Sequence, residues 1–137
     1  MSADLALQKA LRNRLVGTAA VTVLVPAGSI LDRHARPAPD PSIIIGEGQA
    51  VEGDRIDRRD QRIFMDLHIW KKEPSLEGVK AIAGAIRAAI HSSRFPSENS
   101  AHFGDCRVSS MRYLRDPDGE TSHAVVTVEA LVVEVSP

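Results

Sequence analysis

Asp66 and His68 stand two residues apart in the segment RIFMDLHIWKK, Arg62 to Lys72. In an extended chain that spacing puts a carboxylate and an imidazole on one face, as a general acid–base pair requires. No nucleophile or glycine-rich turn stands beside them, so the pair specifies no reaction, and a place in a protein interface accounts for it better. His102 and Cys106 lie four residues apart, and with His91 and His123 they offer donors of the kind zinc takes. Structural zinc sites use paired short spacings of Cys and His, which one cysteine and scattered histidines do not supply. Cys106 therefore reads as a buried or half-buried free thiol. Gly46-Glu47-Gly48 begins like a phosphate loop, but no third glycine or lysine follows at the required spacing. Arg55, Arg58 and Arg59 could meet nucleic-acid phosphates, yet Asp54, Asp57 and Asp60 between and beside them offset the local field. No catalytic residue, cofactor or metal is assigned.

The elements that position these groups follow from hydrophobic periodicity. In the strand, Ile63, Met65, Leu67 and Ile69 form a clean apolar row, whereas Arg62, Phe64, Asp66, His68 and Trp70 mix charge with two large aromatics. The second row suits neither a dry core nor a solvated surface; amphipathic aromatics and arginine are the residues that protein interfaces enrich. A Pro-Ser break leads into LEGVKAIAGAIRAAIHSS, whose Val79, Ile82, Ala83, Ile86 and Ile90 make one helical stripe that would meet the odd row of the strand. Lys80, Arg87 and His91 are its solvated face.

Upstream, Ser2 can cap a first helix in which Leu7, Leu11 and Leu15 recur every four residues, and Gly17 ends it. Thr18 can cap a second short turn that Pro26 stops. Ile30 and Leu31 are expected to open a short strand, the run from Arg33 to Pro41 carries three prolines and must be extended or looped, and Ile43 to Ile45 form a strand with a bulge expected at Gly46 and Gly48. Val51 to Gln61 reads as a solvated, charged loop or a long hairpin tip. Two strands follow, from about Cys106 to Leu114 and from Ser122 to Val135, joined by the turn Asp116-Pro117-Asp118-Gly119. On the last strand Ala124, Val126, Val128, Ala130 and Val132 share one face, and His123, Val125, Thr127, Glu129 and Leu131 the other.

These patterns specify an α+β fold, an antiparallel sheet of about four main strands with the helices packed on one face, in a single domain spanning 1–137. The opposite face, with Phe64, Trp70, Val125 and Leu131, is too apolar to stand fully open, so a loop or another copy of the chain is expected to cover it. Seventeen Lys and Arg against 18 Asp and Glu give no long-range attraction to nucleic acid. The single cysteine excludes an internal disulfide, MSADLALQKALRNRL lacks the apolar core of a signal peptide, and no apolar run reaches a bilayer span. Synthesis in a reducing bacterial cytoplasm, without membrane contact, is the expectation.

In order and spacing, LQKALRNRL, GSILDR, PSIIIGEG, LHIWKK, VKAIAGAIRAAIH and LRDPDGETSHAVVTVEAL resemble the tail completion, or tail terminator, family of tailed bacteriophages and gene transfer agents. The resemblance runs through most of the chain. It implies a non-enzymatic α+β subunit that closes into a ring, usually a hexamer, on the head-proximal end of the tail tube. There it would stop tube growth and face the head-side connector, with DNA passing through the lumen without sequence-specific binding. Pattern, and not the family, picks Phe64, His68 and Trp70 for subunit or tube packing, and Arg55, Arg58 and Arg59 for tube, connector or lumen contacts. Two rival classes stand beside this reading: a small enzyme using Asp66, His68 or Cys106, and a nucleic-acid adaptor using the loop of Arg55, Arg58 and Arg59.

Overall fold

The computed structural model describes residues 2–33, 35, 37–98 and 101–135. His34 and Arg36 of the proline segment, and Asn99 and Ser100 of the connection after the long second amphipathic helix, lie outside the described residues. The chain runs through α1 (Ala3–Val16), α2 (Ala19–Thr22), a 3-10 turn (Ala27–Ser29), β1 (Ile30–Leu31), β2 (Ser42–Glu52), β3 (Asp60–Lys72), α3 (Glu77–His91), β4 (Ala101–Arg115) and β5 (Thr121–Glu134). The five strands form one open sheet in the order β1-β2-β3-β5-β4. The four long strands pair antiparallel, as the alternating patterns require, and the two residues of β1 add a parallel edge through Ile30–Ile43 and Leu31–Ile44. The fold is α+β.

One sheet face and the helices make the core. Ile63, Leu67 and Ile69 of β3 are fully buried with Met65 nearly so, and Ala124, Val126, Val128, Ala130 and Val132 of β5 join them. Against them lie the α3 stripe of Val79, Ile82, Ala83, Ile86 and Ile90, and Leu7, Leu11 and Leu15 of α1, all buried. Each buried Val, Leu, Ile or Met side chain contributes on the order of 2 kcal/mol through apolar area removed from water, and each Ala less. Among the described residues no helix is long and apolar enough to cross a membrane.

The helix ends depart from the sequence expectation. Ser2 and Thr18 occupy the N-cap positions, but neither hydroxyl caps a backbone N–H; Thr18 Oγ1 instead donates to Arg14 O at 2.6 Å. Gly17 follows α1 with φ −83°, so its left-handed freedom is unused. The first turn of α3 is held from outside, by the Glu73 carboxylate accepting from the N–H groups of Gly78 (2.7 Å) and Val79 (3.0 Å). An anion at that point satisfies orphan donors and opposes the helix dipole favourably. Gly119, at φ 74°, does need the left-handed region to close the β4–β5 turn.

Candidate assembly interface

The bulge in β2 shapes the open face of the sheet. Ile45 pairs with Leu67 and Gly48 with Met65, so Gly46 and Glu47 together oppose Asp66. A bulge of two residues against one re-aims a side chain, and here it brings Glu47 over the even row of β3. His68 Nε2 donates to Glu47 Oε1 at 2.6 Å, and His68 Nδ1 shares a 2.9 Å hydrogen bond with His123 Nε2. Gly46 is required beside this ring, because a Cβ there would come within 2.7 Å of His68 Cδ2. His123 comes from the register that sets it opposite Trp70, and the two rings stack with centroids 3.8 Å apart and planes 6° from parallel. Asp66 accepts from the Thr127 hydroxyl at 2.6 Å rather than from His68.

The electrostatics follow from these contacts. The hydrogen bond from His68 is the largest influence holding the Glu47 carboxyl below its ordinary range. Burial, and then the neighbouring His68, push the His123 imidazole down, so that ring stays neutral in its stack. Farther along the face, Glu129 accepts from Arg62 (2.7 Å) and Arg107 (3.2 Å), joining β3, β5 and β4 across the surface.

Phe64, His68 and Trp70 are thus brought to one face, each half-buried, with His68 and Trp70 joined through His123. Val125 on the same face is almost fully buried within the chain. The proline segment borders Trp70 along a depression lined by Pro37, Ala38, Pro39 and Asp40, and Phe64, His68 and Trp70 stay half-exposed among the described residues. Arg55, Arg58 and Arg59 lie apart, all exposed in the turn between β2 and β3. Arg55 pairs with Asp57 at 2.6 Å, Arg58 turns the chain at φ 58°, and Ile56 projects among them, 93% exposed. At about 3.3 Å per residue along β3, this tip and Trp70 are roughly 30 Å apart.

The zinc donors imagined from sequence are dispersed. His91 Nε2 accepts from the Val108 N–H at 3.0 Å, His102 bonds Ser97, and His123 lies on the open face with Trp70. Cys106 lies beneath the C-terminal end of α3, where burial pushes its thiol up to about 12. Only the thiolate is nucleophilic, so alkylation at pH 8 is expected to be slower in the native protein than in urea by roughly a thousandfold, each pKa unit being tenfold. Timed iodoacetamide labelling followed by mass spectrometry measures the ratio, and similar rates would show an accessible thiol.

Sequence reasoning missed Glu47 and His123 as members of this cluster. The Gly46-Glu47-Gly48 bulge and the half-polar second row of β5 carried the signal, but only strand register joins them.

A family model described as tail completion protein gp17 matches residues 9–133. A chain from the virion of a native gene transfer agent particle superposes with a TM-score of 0.84 at 14% identity, covering 97% of this chain and 99% of that one. The bacteriophage SPP1 gp17 protein superposes with a TM-score of 0.63 at 20% identity, covering 98% and 94%. At such identities the two structures show a shared fold. No functionally curated protein matches the chain by sequence.

Proposed function

Because the chain belongs to the tail completion protein gp17 family, we propose that it is a structural virion subunit that closes into a ring, usually a hexamer in such assemblies, on the head-proximal end of a phage-like tail tube. The ring ends tube polymerisation and offers its other side to the head-side connector, while DNA passes through the lumen. The family match carries this reading, and the likeness to a chain of a gene transfer agent virion supports it.

The geometry supports a ring. A closed ring uses a heterologous contact, in which two different patches of one subunit meet those of its neighbours. The aromatic row around Trp70 and the charged tip carrying Ile56 are two such patches, at opposite ends of β3. Neither rival class gains support. Among the described residues His68 is engaged by Glu47 and His123 and by no nucleophile, and Arg55 is paired with Asp57 on a chain of net charge −1.

Deleting the gene from a producing strain is expected to give tails of uncontrolled length and heads without attached tails, seen by electron microscopy, with wild-type protein restoring both. Normal tail length and normal joining in the deletion, with no association between the purified chain and tube protein, would overturn the reading.

A further inference from the structure

We propose that Glu47, Asp66 and His68 form a binding site for one divalent first-row transition-metal ion on the open face of the sheet. A carboxylate oxygen from each acid and a ring nitrogen of His68 all lie within 4.8 Å of one another. Ligand atoms about 2.0–2.2 Å from a common tetrahedral ion lie roughly 3.3–3.6 Å apart, so closing the set requires side-chain shifts, for which the exposed Glu47 has the freedom. The donors come from a bulge on one strand and alternate residues on the next, so backbone pairing fixes their spacing.

The surroundings are those of a ligand set and not of a loose acidic patch. Metal-bound histidines characteristically donate their second ring N–H to an acceptor, and bound carboxylates accept hydrogen bonds of their own. Both partners are in place: His123 Nε2 stands 2.9 Å from His68 Nδ1, and Thr127 Oγ1 donates to Asp66 at 2.6 Å. His123 is itself held by its stack on Trp70, and Gly46 sets side-chain-free backbone against the His68 ring. In the bound form His68 coordinates through Nε2 and carries its ring proton on Nδ1, which donates to His123 Nε2. One imidazole with two carboxylates selects Zn²⁺, Co²⁺ or Mn²⁺ over Mg²⁺ or Ca²⁺, which prefer all-oxygen sites. Three protein ligands leave a coordination position for water or for a side chain of a neighbouring subunit. The site stands independently of the ring, since all its ligands belong to one chain.

The test is titration of the full-length, untagged chain with Co²⁺, followed by visible absorption, and with Zn²⁺, followed by calorimetry. One ion per chain is expected. His68→Ala and Asp66→Ala should each weaken binding about 100-fold and His123→Ala about tenfold, while His102→Ala leaves it unchanged. Zn²⁺ should raise the melting temperature of the wild type and not of His68→Ala. If His68→Ala fails to fold, Glu47→Gln decides, because that side chain is exposed and its loss spares the core. No saturable uptake at millimolar ion, or uptake insensitive to both His68→Ala and Glu47→Gln, overturns the site.

Discussion

Trp70→Ser is expected to weaken self-assembly, or association with tube protein, by about 30-fold or more while the isolated subunit still folds. Trp70 is half-buried on the open face, flanked by two shallow depressions, so much of its indole is available to a neighbour. Interface anchors of this kind cost about 2 kcal/mol or more when truncated. Within the chain the residue's defined partner is His123, and an aromatic stack is worth about 0.5–1.5 kcal/mol beyond its area. For a domain of this size that lowers the melting temperature by only about 2–8 °C. Sedimentation velocity and a circular dichroism melt read the two effects separately. A melt lowered far beyond that range with assembly intact would place Trp70 in the core of a single chain. Ile56→Ser, at the far end of β3, is a useful companion, since it removes a 93% exposed side chain and can act only through a partner.

The contrast between these two patches shows where sequence stops informing. Period-two alternation identified both faces of β3 and β5 because the buried row is uninterrupted, from Ile63 to Ile69 and from Ala124 to Val132. The helical stripes were equally plain, since α1 and α3 each have a single face to bury. Pairing register was not legible. That His123 faces Trp70, and that Glu47 reaches His68, depends on which residue of one strand opposes which of another and on where a bulge falls. Local rules failed at the caps for a related reason: Ser2 and Thr18 are the right residue types in the right places, but the acceptor that holds α3 comes from Glu73 in the preceding loop.

Arg14 is a contribution to the fold that periodicity does not reveal, and Arg14→Ala is expected to cost about 2–3 kcal/mol of stability. In the sequence it is one basic residue on the polar side of α1. In the fold its guanidinium crosses to the end of α3, where Nη1 donates to Ala89 O (2.9 Å) and Ser93 O (3.1 Å) and Nη2 to Arg94 O (3.2 Å). The same group lies 3.9 Å over the Phe95 ring. These carbonyls belong to the helix end and its first continuation, where intrahelical donors are missing and the dipole favours a cation. Hydrogen bonds to a charged group contribute about 1.5–3 kcal/mol and the ring contact about 0.5–1 kcal/mol more; partial exposure keeps the total near the lower sum. Urea unfolding of the variant gives the loss directly, and hydrogen exchange should show it concentrated at residues 89–92. Arg14→Lys should recover less than half, because an ammonium is a point donor that cannot span carbonyls which the planar fork reaches together. A loss below about 0.5 kcal/mol, within the range of an ordinary surface substitution, would mean that water serves the end of α3 as well as the guanidinium does.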